Sequence, residues 1–134
     1  MQDRPEYADV LGDIIDYLRV SIDMAVSAGV DDDKIIVDPG IGFGKTKDHN
    51  LDILRRLSEL RTLGKPILVG SSRKSFIGAT LDLPFDERLE GTAATVALSV
   101  AGGADIVRVH DVKEMTRVAR MSDAVVRRRS DAEQ

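Results

Sequence analysis

The sequence predicts an α/β fold in which parallel strands alternate with helices, and three observations carry that prediction. Long segments place apolar residues at helical spacing, short apolar or β-branched runs stand between them, and the order is one helix followed by three strand-helix units. Strands joined by helical crossovers in this way run parallel. A closed barrel of eight such units takes about 250 residues. At roughly 30 to 40 residues per unit, one helix and three strand-helix units are under half of the eight.

From Asp9 to Ala28 the residues Val10, Ile14, Ile15, Leu18, Ile22, Ala25 and Val26 recur at three and four with acids between them, the stripe of an amphipathic helix. Gly29 stops it, the acidic turn Asp31 to Asp33 follows, and Ile35, Ile36 and Val37 form a compact strand running into Asp38 and Pro39. After a glycine-rich loop, Leu51, Leu54, Leu57, Leu60 and Leu63 mark a second helix, with Asp48 or Asn50 to cap its start and Gly64 just past its end. Pro66 to Gly70 is a second strand, and Ser71 to Ile77 leads into a long connection containing Leu83, Pro84 and Phe85. Thr92 to Ala101 is a helix closed by Gly102 and Gly103, Ile106 to Val109 a third strand, and Val112 to about Arg128 the last helix. A chain that opens on a helix leaves a small parallel sheet whose faces and edges need neighbours, so the expectation is a fragment.

Composition removes several function classes. The chain has 19 Lys plus Arg against 23 Asp plus Glu, a formal charge of −4, which argues against a general nucleic-acid or anionic-membrane binder. With no cysteine, disulfides and thiolate chemistry are excluded, and two histidines cannot by themselves build a structural zinc site. No apolar run approaches the roughly 18 residues of a membrane span, and the N-terminus has no signal-peptide pattern, so a cytoplasmic location is expected.

In parallel α/β folds ligands lie at the carboxyl ends of the strands. Here the first strand runs into Asp38-Pro39-Gly40-Ile41-Gly42-Phe43-Gly44-Lys45-Thr46, the second into Gly70-Ser71-Ser72-Arg73-Lys74-Ser75, and the third carries Arg108-Val109-His110-Asp111. Strand parity puts Ile106, Arg108 and His110 on one face. Arg108 and His110 are then a two-pronged cation suited to phosphate or pyrophosphate, or else they form surface salt bridges with Asp105 or Asp111. Asp38 shares a face with Ile36, and it either binds the amidine-like edge of a heterocycle such as a 2-amino-4-oxo ring or caps its own loop.

The glycine loop is not a Walker loop, because Pro39 stands where that pattern needs glycine, and it is not a dinucleotide loop, because Lys45 stands where the third glycine belongs. Its glycines allow close backbone approach to a ligand, and Phe43 either offers a flat apolar surface there or packs into the core. Lys74 and Ser75 open a segment just after a strand, where free backbone N–H groups favour an anion such as a carboxylate; a solvated basic turn is the plain alternative. His49 reads as a helix-start or surface residue, and Arg127 to Arg129 as a solvated tail.

The runs from Asp38 to Thr46, from Gly70 through Ser75 to Gly78, and from Arg108 to Val112 together resemble dihydropteroate synthase, and they occur in the order of that family. The likeness covers nearly the whole chain, including His49-Asn50 and the opening Met1-Gln2. It implies the C-terminal portion of a (β/α)8 TIM barrel, with helix five and units six to eight present in a single partial pterin-binding domain over residues 1–134 and the N-terminal half absent. The implied reaction joins p-aminobenzoate to 6-hydroxymethyl-7,8-dihydropterin pyrophosphate, releasing pyrophosphate, in folate biosynthesis.

By that resemblance Asp38 binds the pterin amino group and ring nitrogens, Lys74 bridges the pterin carbonyl side and the aminobenzoate site, and Ser75 meets the aminobenzoate carboxylate. Phe43 and Arg73 flank the pocket, Gly42 and Gly70 complete the binding set, and Arg108 and His110 hold the pyrophosphate. Lys74, Arg108 and His110 are the implied catalytic residues. Magnesium is implied, with its protein ligand in the absent half, so no metal ligand is expected here; the family is also a sulfonamide target. The expected partners are the two small substrates, not nucleic acid or membrane, with a second copy or a complementing half-barrel over the exposed sheet edge. Because the absent strands supply further pterin contacts and mobile loops in the family, the chain alone is expected to carry an incomplete site. The nearest rival is a pterin-binding methyltransferase, against which Arg108, His110 and the Ser-Arg-Lys-Ser run argue; the rival of another class is a non-catalytic half-barrel.

Overall fold

The first helix begins where Asp9 accepts the Gly12 N–H on its side chain at 3.1 Å, satisfying one of the donors that a helix start leaves open. A computed structural model describes residues 9–127 of the chain. In it α1 (Val10–Ser27) buries Val10 and Leu11 and packs Ile14, Ile15, Leu18 and Ile22 on the core, as the stripe predicts. Arg56 ties its start to the next unit, donating to Asp9 at 2.8 Å while also pairing with Glu59 at 2.7 Å. The expected residues Met1 and Gln2 lie outside the described residues.

The three parallel strands are present but short. β1 (Leu68–Val69) and β2 (Ile106–Val107) pair in parallel, Leu68 opposite Ile106 and Val69 opposite Val107. The predicted first strand is reduced to one bridge, Val37 with Ile67, in which Val37 N–H donates to Pro66 O at 2.9 Å and Leu68 N–H to Val37 O at 2.8 Å. Pro39, with no N–H to give a ladder, follows almost at once and ends the pairing. The residues facing the helices are sealed: Val37, Ile67 and Val69 are 3, 1 and 1 % exposed. On the opposite face Ile36 is 51 % exposed and Ile106 38 %, so the inner surface of the sheet is open.

The second predicted helix divides. α2 (Lys47–Arg55) is α-helical, and Leu57–Leu63 is a 3-10 helix. The leucine spacing explains it: steps of three drift around an α-helix but stay on one face of a helix with three residues per turn. Leu57 and Leu60 are both fully buried by this arrangement. Thr46, rather than Asp48 or Asn50, caps α2, accepting from His49 N–H at 3.1 Å while His49 Nδ1 accepts from Thr46 N–H at 3.2 Å.

A helix that the sequence pattern does not reveal, α3 (Ser75–Leu81), stands where a connection is expected. It is too short to display a period, and only Phe76, Ile77 and Gly78 are buried. α4 (Leu89–Ala101) begins a turn earlier than predicted and turns Thr92, Thr95, Val96, Ser99 and Val100 inward. α5 (Val112–Val126) packs mainly on α4 and buries Met115. Arg127 is not a solvated tail residue: it donates to Ala104 O at 2.6 Å and pairs with Asp123 at 3.3 Å, closing the end of α5 onto the turn before β2. Arg128 and Arg129 lie outside the described residues. Among the described residues no helix is long and apolar enough to cross a membrane.

Candidate functional site

The parallel register brings the three strand ends to one rim. Continuing it past Val37-Ile67 and Val69-Val107 puts Asp38, Gly70 and Arg108 on the inner face of the sheet. Gly70 and Arg108 are then neighbours, and a Cβ on Gly70 would lie 2.5 Å from the Arg108 guanidinium. The absent side chain is the space that the guanidinium occupies.

Lys74 reaches the same rim from the second strand end. Its ammonium donates to Ile41 O at 2.6 Å and stands 4.7 Å from the centre of the Phe43 ring. Gly42, at φ +90°, lets the loop pass beneath it, and a Cβ there would lie 3.1 Å from Lys74 Cδ. Burial holds the Lys74 ammonium below the usual lysine range; Arg108 and, more weakly, Lys45 add to that, and Asp38 opposes it. Lys45 is also pushed down by burial, against the pull of Asp38, while donating to Gly40 O and Phe43 O at 2.9 Å each.

Asp38 is exposed and accepts the Gly40 N–H at 2.8 Å, so loop capping is realised through one oxygen. Beside it lies a cavity of about 460 Å³ walled by Ile14, Tyr17 and Leu18 of α1 together with Pro39 and Lys45. Lys74 and Lys45 both feel the Asp38 carboxylate, and Arg108 acts on Lys74 from the neighbouring strand end, so positive charge gathers along this rim. Phe43 is 68 % exposed, which rules out its packing in the core.

The salt-bridge alternatives for Arg108 and His110 do not occur among the described residues. Asp111 is taken by Arg73, through Nη2 at 2.7 Å and Nε at 3.2 Å, and that hydrogen-bonded guanidinium holds the Asp111 carboxyl below its usual range. Asp105 accepts the Ile67 N–H at 3.1 Å and faces Arg127 at 3.7 Å. His110 is held by Ser72, whose Oγ lies 2.7 Å from Nδ1 and accepts the His110 N–H at 3.1 Å. Its Nε2 is then the nitrogen open to a ligand. Arg73 and Lys74 are no solvated turn: Arg73 also lies 5.3 Å over the Phe85 ring, and its φ of 56° is left-handed. Ser75, exposed, opens α3.

Residues 1–110 match the family described as pterin binding enzyme. The chain belongs to that family. The dihydropteroate synthase of Bacillus subtilis is 52% identical over 128 residues, which take in 94% of this chain and 45% of the relative. That of Escherichia coli is 41% identical over 126 residues, again 94% of this chain and 45% of the relative. A crystal structure of dihydropteroate synthase from Clostridium difficile in the presence of pteroic acid matches with a TM-score of 0.90 at 52% identity, covering 95% of this chain and 49% of that one. The Yersinia pestis enzyme in complex with a sulfonamide drug gives 0.89 at 40% identity, covering 92% and 45%. The chain spans about half the length of the relatives it matches, and its fold is part of their α/β barrel. The resemblance carried by the three motifs is therefore correct at the level of family and fold.

Around the rim of this pterin-binding family member stand residues to which the sequence reading gave no role in the site. Asn50, 3 % exposed, accepts the Gly42 N–H at 2.8 Å and donates to Thr46 O at 3.0 Å, fixing the glycine loop. Ser72 and Lys45 lie inside the motifs, yet only the folded chain shows which groups they touch. Among the described residues no group of three or more His, Cys, Asp or Glu side chains is arranged to hold a metal ion.

Proposed function

We propose that this chain carries the pyrophosphate-expelling and arylamine-receiving part of a dihydropteroate synthase site. The observation that carries the reading is the convergence of the strand ends on one rim, where Asp38 and Arg108 share the inner face and Lys74 reaches over Gly42 beside Phe43. Asp38 takes hydrogen bonds from the 2-amino group and adjacent ring nitrogen of the pterin, in the plane that a carboxylate prefers. Arg108, with His110 Nε2 beside it, binds the pyrophosphate of the substrate. The bond from the pterin methylene carbon to the bridging oxygen breaks, its electron pair leaving with pyrophosphate. The p-aminobenzoate nitrogen then attacks that carbon and loses a proton.

Lys74 neutralises charge between the two halves of the substrate pair, and Phe43 gives the aminobenzoate ring an apolar face, with Arg73 at its flank and the exposed Ser75 toward its carboxylate. Gly42 and Gly70 belong to the site because larger residues would displace Lys74 and Arg108. Such catalysis is positional and electrostatic. Magnesium is implied by the family alone, and no step here passes through it. A sulfonamide would compete for the aminobenzoate position, as the drug complex of the Y. pestis relative suggests. The domain reading is one partial barrel whose exposed sheet edge is covered by a second copy or a complementing half; sedimentation as a monomer under assay conditions would count against that cover.

The test is pyrophosphate release with both substrates, beside Lys74→Ala. The expected result is release that requires both substrates and falls about 100-fold or more in the variant. A chain that binds the pterin pyrophosphate but never releases pyrophosphate, even with the other half of a relative added, would move the reading to a non-catalytic pterin-binding half-barrel.

A further inference from the structure

Arg73 holds a left-handed backbone, φ 56°, that residues with a Cβ adopt uncommonly. Two side chains meet it, one from α4 and one from the residue that precedes its first turn. Thr92, with no exposed surface, accepts the Arg73 N–H on Oγ1 at 3.0 Å, and Arg88 Nη1 donates to Arg73 O at 2.8 Å. Arg88 and Thr92 lie one helical turn apart, joined by the Thr92 N–H to Arg88 O bond at 2.9 Å. We propose that Arg88 and Thr92 are positioning residues which grip both backbone polar groups of Arg73 and thereby aim the next residue, Lys74, at the rim.

Arg88 spends its donors on main-chain carbonyls, Nε reaching Leu83 O at 3.2 Å, and among the described residues it has no carboxylate partner. Its guanidinium lies against Gly78, where any Cβ would overlap it, and 5.9 Å from the Phe85 ring centre. The planar group is thus held in one orientation from two sides. One further turn along α4, Thr95 Oγ1 meets Ser71 Oγ at 2.8 Å, so the same helix face grips the loop at both ends. With Arg73 so held, its guanidinium reaches Asp111, and Lys74 leaves the loop toward Ile41 O. The link to catalysis rests on the function proposed above; the grip itself does not.

The test uses the full 134-residue chain with 13C-labelled lysine, following the Lys74 side chain by NMR titration and assigning it by its loss in Lys74→Arg. Thr92→Val removes the hydroxyl at constant shape, Arg88→Met removes the guanidinium, and Thr92→Ser restores an acceptor. Thermal melts run alongside. The expected result is that Lys74 titrates nearer the ordinary lysine value of 10.5 in Thr92→Val and Arg88→Met and as wild type in Thr92→Ser. Lower melting with an unchanged Lys74 titration would overturn the proposal and leave Arg88 and Thr92 as packing residues only. If either variant does not fold, Arg88→Lys, which removes the flat guanidinium, and Gly78→Ala, which displaces it, decide instead, and a wild-type Lys74 titration in both overturns the grip. Affinity for dihydropterin pyrophosphate is measured in parallel, with about tenfold weakening expected in Thr92→Val. A wild-type chain that binds no pterin pyrophosphate sinks the functional reading, while the titration still settles the grip.

Discussion

Arg73 and Asp111 hold the third strand end against the second, and their pairing makes a prediction with a definite sign. The Asp111 carboxyl is depressed in the folded chain, first by its hydrogen bond to Arg73, so the unfolded state binds its proton more tightly. That stability is present above the ordinary value of 3.8 and is lost as pH falls through the lower, folded value. Asp111→Asn is therefore expected to melt below wild type at neutral pH, with the gap closing as both are taken to about pH 3 or lower. A gap that stays constant with pH would mean that the pair contributes through shape and not charge. Asp38, Arg108 and His110 were legible as rim residues because strand parity and the loop sequences alone put them there. Their partners were not: which acid takes which base depends on a left-handed turn at Arg73 that no propensity for arginine announces.

Among the elements, the glycine loop depends on the start of α2. The Thr46 hydroxyl accepts from His49 N–H, His49 answers with Nδ1, and Asn50 on the next turn holds Gly42. Removing the hydroxyl in Thr46→Ala should destabilise the chain by about 1 kcal/mol, the usual size of a lost cap. Because Asn50 sits on the same helix end, amide exchange at Gly42 should quicken in that variant; exchange unchanged at Gly42 would separate the cap from the loop. The first helix, α1, was readable from period alone, whereas α4, apolar or small on most sides, was placed by the glycines Gly102 and Gly103 that close it, and its first turn was missed. The 3-10 segment Leu57–Leu63 carried its own signal in the strict spacing of three, which an α-helical template absorbs. α3 carried no such signal, because seven residues with Gly78 and Thr80 among them show no period. The role of Arg88 is invisible for a related reason: its partners are carbonyls on two loops, not side chains of complementary charge.

For the molecule as a whole, the outer face of the sheet is sealed by helices while the inner face, carrying Ile36 and Ile106, is open and ends in a charged rim where Lys74 lies among Arg108, Asp38 and Lys45. That separation puts packing on one side of the strands and the charged rim on the other, as parity required. The account stands on the claim that the rim recognises a pterin through Asp38 and its pyrophosphate through Arg108. Calorimetric titration of the chain with 6-hydroxymethyl-7,8-dihydropterin pyrophosphate and with the unphosphorylated alcohol, each repeated in Arg108→Met, tests this most directly. The account predicts that the pyrophosphate binds about tenfold or more tighter than the alcohol, as a charge-assisted hydrogen bond allows, and that Arg108→Met removes the preference. Equal affinity for the two ligands in the wild-type chain, or a preference that survives in Arg108→Met, would contradict it.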